Sequence, residues 1–172
     1  TVGSLKILQP RNGYRFSIDP VLLSAFVPDV KGCRIVDLGT GNGIIPLLLS
    51  TRSEAQSIVG VEVQQQMAER ARRSFKLNNL ESSIRIIEAD IRALPGELVA
   101  GSFDIVTANP PYRKPETGRI APQDERAIAR HELYGDVNDF LQASMSLLKS
   151  GGRFYIVYLA ERLAELLTAM RT

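Results

Sequence analysis

The feature that most constrains the fold is a glycine-rich turn between a strand pattern and a helix pattern. Residues 33–37 have strand character and run into Leu38-Gly39-Thr40-Gly41-Asn42-Gly43, and a helix is predicted from Ile44 to Thr51. Such a turn lets the backbone approach a ligand closely and points free N–H groups at it. The dinucleotide-binding pattern G-x-G-x-x-G would need glycine at position 44, which is Ile44. The turn therefore predicts either another kind of cofactor site or a tight connection between strand and helix.

Strand and helix patterns alternate through the rest of the chain. Further strands are predicted at 57–62, 84–89, 103–108 and 154–158, and a helix at 64–78. A second helix is predicted to start at an Asp136 cap, to stop at Gly151-Gly152, and to bury Val137, Phe140, Leu141, Met145 and Leu148. Leu163, Leu166, Leu167 and Met170 mark a last helix. This order predicts an α/β fold with an open, mostly parallel sheet and helices on both faces.

One domain is predicted, with a hairpin and a helix in residues 1–31 and the core in 32–172. Short alternating stretches at 5–8 and 14–18 lie on either side of Asn12-Gly13, which is a strong hairpin turn signal. Asp19 and Pro20 predict the N-cap and first residue of a helix. The apolar residues of that helix are Val21, Leu22, Ala25 and Phe26.

The composition limits the classes of function only loosely. Lys and Arg total 21 against 19 Asp and Glu, a net charge of +2, so any nucleic-acid surface must be local. The single Cys33 cannot form an internal disulfide and fits a reducing compartment. No apolar run approaches the roughly 20 residues of a membrane span, and no signal peptide is recognised, so we expect a cytoplasmic protein. One histidine, His131, excludes a clustered-histidine metal site, and no metal is expected.

Four polar residues mark the ends of the predicted strands, at the edge where open α/β sheets bind ligands: Asp37, Glu62, Asp90 and Asn109. Glu62 lies 19 positions beyond Gly43, where an acid can accept hydrogen bonds from two ribose hydroxyls. Its alternative role is an exposed helix-capping acid. Asp90 is placed to bind an adenine amino group while Ile91 packs on the ring.

The segment Asn109-Pro110-Pro111-Tyr112 predicts methyl transfer to a poorly nucleophilic amino or amide nitrogen. Two acceptors that take the N–H hydrogens of such a nitrogen free its delocalised lone pair. The Asn109 side-chain oxygen and the Pro110 carbonyl supply them, since consecutive prolines hold the backbone extended. Tyr112 offers a flat face for a base withdrawn from its stack. The alternative is a turn made rigid by proline.

Cations follow this segment at Arg113 and Lys114, and Arg119, Arg126 and Arg130 come next. Beside a base pocket, Arg113, Lys114 and Arg130 would contact RNA phosphates. The alternative is a solvated charged loop.

The pattern D-x-G-x-G-x-G at positions 37–43 resembles the first motif of class I S-adenosylmethionine (SAM) dependent methyltransferases. The resemblance implies that Asp37 lies near the methionine part of SAM and that Gly39, Gly41 and Gly43 pack against the cofactor. It also places Val63 beside Glu62 in the cofactor site. N-P-P-Y after the fourth strand resembles the amino-methyltransferases that act on adenine N6, cytosine N4, guanine N2 or a glutamine amide.

Three segments together resemble the bacterial tRNA adenine-N6 methyltransferases that modify position 37 of a valine tRNA: residues 8–23, 109–114 and Ala129-Arg130-His131-Glu132. That likeness implies a tRNA partner and closure of Phe16 to Asp19 over the methionine end of SAM. Class I domains usually end with a β-hairpin, which we expect this chain to lack. The oligomeric state is left open, with a monomer favoured.

Three alternative functions remain. A protein-glutamine N5-methyltransferase shares N-P-P-Y but usually carries a helical N-terminal domain, and an rRNA or DNA amino-methyltransferase shares both motifs. An RNA-binding module that senses SAM without turnover is the non-enzyme alternative.

Overall fold

The computed structural model describes residues 4–10, 15–28, 30–52, 54–111 and 135–171. The strands in this part of the chain are β1 (Arg34–Leu38), β2 (Ser57–Glu62), β3 (Ile84–Glu88), β4 (Phe103–Ala108) and β5 (Leu148–Ile156). The α-helices are α1 (Asp19–Phe26), α2 (Ile44–Leu49), α3 (Gln65–Leu77), α4 (Val137–Leu147) and α5 (Leu163–Ala169). A 3₁₀ turn at Ala160–Arg162 precedes α5.

The five strands form one parallel sheet in the order β3-β2-β1-β4-β5, which confirms the predicted α/β architecture. Val36 at the centre of β1 is paired with Val59 of β2 on one side and with Val106 of β4 on the other. The strand order reverses direction between β1 and β4. Open parallel sheets bind ligands at such a switch point, beyond the carboxyl ends of the strands.

Each face of the sheet is covered by its own apolar layer. Alternate residues of β1 point to opposite faces, with Ile35 in one cluster and Val36 and Leu38 in the other. The first cluster contains the buried faces of α1, α2 and α3, and the second contains Phe140 and Leu147 of α4. Helices therefore lie on both faces, as predicted, and the buried central strands are held in one register.

The prediction of an N-terminal hairpin is wrong for the two segments that were to be its strands. Residues 6–10 and 15–17 form no strand, and Leu5 makes only an isolated bridge, while the proposed turn at 12–13 lies outside the described residues. The chain instead lies along α3. Asn78 accepts a hydrogen bond from the Lys6 N–H and donates one to its carbonyl, and the Leu8 N–H donates to Ser74 Oγ at 3.0 Å. Polar side chains in and directly after α3 thus make hydrogen bonds with backbone groups that were expected to pair within a hairpin.

Helix α1 begins one residue earlier than predicted, with Ile18 as its N-cap and Asp19 inside the first turn. Its buried side chains are Pro20, Leu23 and Ser24, whereas Leu22 and Phe26 are exposed. Ser24 is tolerated in the core because its hydroxyl donates to the Pro20 carbonyl at 2.7 Å.

The Asp136 cap of α4 is confirmed as a reciprocal capping box with Asp139, but the predicted end of this helix is wrong. The chain passes from Leu147 directly into β5, so Leu148 and Gly151-Gly152 lie in the strand. Between Phe103 and Ile105 the β4–β5 pairing shifts register, and Gly151 has φ +76° in the extra length. Met145 is 75% exposed rather than buried.

No helix in the described ranges is long and apolar enough to cross a membrane. The same ranges contain no group of three or more His, Cys, Asp or Glu side chains that could hold a metal ion.

Candidate cofactor and methyl-acceptor site

The glycine turn joins β1 to α2 at the carboxyl edge of the sheet. Gly39, Gly41 and Gly43 have φ values of +65°, +58° and +79°, which side chains other than glycine rarely adopt. The Thr40 N–H donates to the Val61 carbonyl at 2.9 Å, and the Gly43 N–H donates to the Thr40 carbonyl at 3.0 Å. The turn is thus fixed to the neighbouring strand β2.

Missing side chains also create the space in which the turn packs. A Cβ atom on Gly43 would lie 2.7 Å from the Phe75 ring of α3. A Cβ atom on Gly60, in the middle of β2, would lie 2.8 Å from Thr40 Cγ2 and 2.7 Å from Ile86 Cδ1. The close approach of turn, helix and strand therefore depends on glycine at both positions.

Glu62, at the end of β2, is a buried anchor of the turn rather than an exposed capping acid. It is 5% exposed and accepts hydrogen bonds from the Gly41 and Gln64 N–H groups, each at 2.8 Å. Burial raises its pKa, and the backbone N–H donors at Gln64, Gly41 and Val63 act in the opposite direction. A carboxylate has about four acceptor positions. Glu62 can therefore hold the turn and still accept hydrogen bonds from a diol.

Asp37 lies under the turn, fully buried, between β2 and β4. Its Oδ1 accepts a hydrogen bond of 2.7 Å from Thr107 Oγ1, and its Oδ2 has no hydrogen-bond partner among the described residues. Burial raises the pKa of Asp37 from 3.8 to about 7, the nearby Thr40 hydroxyl and the hydrogen bond from Thr107 partly oppose this rise, and the charge of Glu62 adds to it. The site thus contains a carboxyl group that a neighbouring positive charge would hold in its ionised form.

A cleft opens beside the turn, between the start of α1 and the end of β4. Its lining comprises Phe16, Pro20, Gly39, Thr40, Gly41, Asn42, Ile44, Ile45 and Asn109. Asn109 follows β4 directly and its Oδ1 is buried without a hydrogen-bond partner in the described part of the chain. The structure therefore brings Phe16, two of the motif glycines and Asn109 to one cleft, and it buries Pro110 next to them.

Other predicted cofactor residues lie outside this cleft. Asp90 follows β3 and its carboxylate is held by Arg92, whose Nε and Nη2 donate at 2.9 and 2.5 Å. Arg92 lowers the pKa of Asp90. Ile91 is buried in the second apolar cluster, Val63 directly follows β2, and Asp19 accepts a hydrogen bond of 2.6 Å from the Ser17 hydroxyl.

The strand order sets these residues in a row along one edge, with Asp90 after β3, Glu62 at the end of β2, the glycine turn after β1 and Asn109 after β4. Tyr112, Arg113, Lys114 and Arg130 lie outside the described residues, as does the Ala129–Glu132 segment.

Three residues of this region were not singled out from the sequence. Thr107 was an ordinary strand residue, Pro20 only a helix start, and Asn42 an unspecified position between two glycines. Their signal in the sequence is weak: Thr107 is a polar residue beside apolar ones in β4, and Asn42 is an amide between two glycines.

Comparisons with known proteins agree with this geometry. The profile of a methyltransferase domain family matches residues 29–172. A tRNA1(Val) (adenine(37)-N6)-methyltransferase of Tolumonas auensis is 30% identical over 173 residues, covering 100% of this chain and 70% of the relative. The chain belongs to the tRNA1(Val) (adenine(37)-N6)-methyltransferase family.

Further members of the family show the same extent of similarity. The enzymes of that name from Aeromonas salmonicida and Haemophilus influenzae are 30% and 32% identical, and each matches 91% of this chain. The chain spans 64% and 66% of their lengths. Among solved structures, TrmN from Thermus thermophilus superposes with a TM-score of 0.65 at 29% identity, covering 88% of this chain and 41% of TrmN.

The cofactor of this class of methyltransferase is SAM, and the residues present fit it. Gly41 faces open space, since a Cβ atom there would have only Met67 Sδ at 4.0 Å, and Glu62 retains acceptor capacity next to the turn. Buried polar atoms of Asp37, Asn42 and Asn109 have no partner among the described residues, and a ligand in the cleft would supply partners. Glu62 would hold the ribose, and the turn and the cleft would hold the amino-acid end.

Proposed function

We propose that this protein transfers the methyl group of SAM to the exocyclic N6 of an adenine in tRNA. The observation that carries the proposal is Asn109, which follows β4 in the cleft of the glycine turn and has a buried Oδ1 without a hydrogen-bond partner among the described residues. Membership of the family supports adenine 37 of a valine tRNA as the substrate, since that is what the names of the relatives state. A tRNA substrate would place the protein in the cytoplasm.

The amide oxygen of Asn109 suits a methyl acceptor whose amino group donates N–H hydrogen bonds. An exocyclic amino group is planar because its lone pair is shared with the ring, and it is a weak nucleophile. Asn109 Oδ1 accepts one N–H hydrogen and the Pro110 carbonyl accepts the other, which favours a pyramidal nitrogen with a free lone pair. The two prolines restrict the backbone that carries these acceptors, so the geometry exists before the substrate arrives.

Bound SAM supplies a methyl group on a positively charged sulfonium, which leaves as a neutral thioether. The protein contributes orientation and exclusion of water, through Phe16 and Pro20 on one side of the cleft and Asn109 on the other. The methylated nitrogen carries an extra proton and is acidic, so it loses that proton to solvent after transfer. No dedicated general base is needed.

The test combines the intact protein, SAM labelled in the methyl group and a valine tRNA transcript without modifications. After digestion to nucleosides, the label is expected in N6-methyladenosine. A transcript with guanine at position 37 is the substrate control and should accept no label. Label in another nucleoside, or in protein when extracts are supplied, would contradict the proposal.

Asn109→Ala tests the role of the amide. We expect turnover to fall at least 100-fold, because the acceptor for the amino hydrogen is lost, while the affinity for SAM changes by less than about threefold. Unaltered turnover would refute the assigned role. Asn138→Ala, on the exposed side of α4, is a matched control that should leave both quantities unchanged.

A further inference from the structure

Asn42 is the most unusual polar residue in the described part of the chain. Its side chain is 2% exposed, and neither Oδ1 nor Nδ2 has a hydrogen-bond partner there. Buried amides are almost always satisfied, because their hydrogen bonds to water are lost on folding. An amide with both ends unpaired therefore requires an explanation.

The position of Asn42 supplies a reason for this burial. The flanking Gly41 and Gly43 both have positive φ, and the turn is anchored by the Gly41–Glu62 and Gly43–Thr40 hydrogen bonds. These contacts fix the backbone on both sides of Asn42. Asn42 is one of the residues that line the same cleft as Phe16 and Asn109. The amide is thus held where a ligand in the cleft would supply its partners.

The chemistry of the amide indicates which part of a ligand it meets. Glu62 at the end of β2 is suited to the ribose, so the other end of a cofactor lying along the edge of the sheet falls beside β1 and β4. Asn42 lies on that side and offers one acceptor and two donor hydrogens from one group. An α-amino acid, with an ammonium and a carboxylate on one carbon, matches that combination.

We propose that the Asn42 side chain binds the zwitterionic amino-acid end of the cofactor, with Nδ2 donating to the carboxylate and Oδ1 accepting from the ammonium. The proposal rests on the use of SAM under the proposed function. It assigns specificity for the amino-acid end to a side chain between the motif glycines, in addition to the backbone N–H groups of the turn.

Two ligands that differ only at this end provide the test. S-adenosylhomocysteine carries the amino acid, whereas 5′-methylthioadenosine keeps the adenosine and the sulfur but lacks it. Calorimetry on the intact protein measures both affinities for wild type, Asn42→Ala and Asn42→Asp. We expect both variants to bind S-adenosylhomocysteine about 10- to 100-fold more weakly, as for loss of a hydrogen bond to a charged group. Binding of 5′-methylthioadenosine should change by less than about twofold.

The outcomes separate this proposal from the function on which it rests. Wild-type protein that binds neither ligand would contradict the use of SAM. Wild-type binding with an unchanged affinity for S-adenosylhomocysteine in the variants would overturn only the role of Asn42, as would an equal loss for both ligands. Thermal unfolding without ligand is the structural control. It should show no loss of stability in Asn42→Ala, because the amide has no partner among the described residues. Failure of both variants to unfold cooperatively would also overturn the proposal.

Discussion

Replacing Asp37 by asparagine is expected to change how the stability of the protein depends on pH. The fully buried Asp37 has a pKa of about 7, against 3.8 in an unfolded chain, because burial disfavours its charge. Between these two values the folded protein holds a proton that the unfolded chain releases. The contribution of Asp37 to stability is therefore fully present below about pH 4 and is lost as the pH rises through 7.

The size of the effect follows from the two pKa values. Each pH unit between them is worth about 1.4 kcal/mol, so the ionised group costs up to about 4 kcal/mol above pH 7. Between pH 5 and pH 8 the loss is about 2.5 kcal/mol, because part of it has already occurred at pH 5. Asparagine has nearly the same shape, keeps an oxygen for the Thr107 hydroxyl and cannot ionise. The variant should therefore gain about 2.5 kcal/mol relative to wild type over this range.

Urea unfolding of both proteins at pH 5 and pH 8 measures this difference. Glu62 also has a raised pKa, and its charge is one cause of the raised pKa of Asp37. The part of its titration that does not depend on Asp37 cancels between the two proteins, and the coupled part belongs to the measured difference. Asp104→Asn is the control, because hydrogen bonds from Lys149 and from the Arg34 N–H lower the pKa of Asp104. Asp104 is ionised in both states over this range, and its variant should show a constant difference. An Asp37→Asn difference that moves by less than about 0.5 kcal/mol between the two pH values would refute the reasoning.

Two further changes test the turn and the cap of α4. Gly43→Ala should destabilise the protein by about 2–4 kcal/mol, because the new Cβ would overlap the Phe75 ring at a positive φ. Gly96→Ala, with open space around it, should stay within about 0.5 kcal/mol in the same urea titration. Asp136→Ala should cost about 0.5–2 kcal/mol, because it removes the acceptor for the Asp139 N–H, and Asp136→Ser should recover most of that loss. A Gly43→Ala loss no larger than that of Gly96→Ala, or an Asp136→Ala midpoint equal to wild type, would contradict these predictions.

The sequence predicted β2 and β4 with their observed bounds, since each is a short apolar run that ends at a polar residue or a turn. The buried face of α1 could not be predicted from the positions of its apolar residues. In a helix of eight residues, apolar Leu22 and Phe26 are exposed while Ser24 is buried, because the bond to the Pro20 carbonyl satisfies the serine. Gly151 was interpreted as a helix stop, but it lies where β5 shifts register against β4. A glycine in the sequence does not by itself distinguish the end of a helix from a register shift in a strand.

For the site, motif spacing predicted the glycine turn, Glu62 and Asn109, and the sheet brings them to one edge. What the spacing could not show is how Glu62 is used. Its carboxylate binds the Gly41 N–H, a contact between residues 21 positions apart that requires β1 and β2 to be paired. The cleft that Asn42 lines likewise requires the start of α1 and the end of β4 to meet at the turn. Contacts of this kind can be identified only from the tertiary structure.

The absence of a side chain at Gly60 links distant positions of the chain. A Cβ atom at position 60 would overlap the side chains of Thr40 and Ile86, so a larger residue at one of these three positions leaves less space for the other two. Among natural variants, alanine or serine at position 60 should therefore appear together with a smaller residue at position 40 or 86. The residue found at strand position 60, away from the ligand, would then be determined by the shape of the glycine turn that binds the ligand.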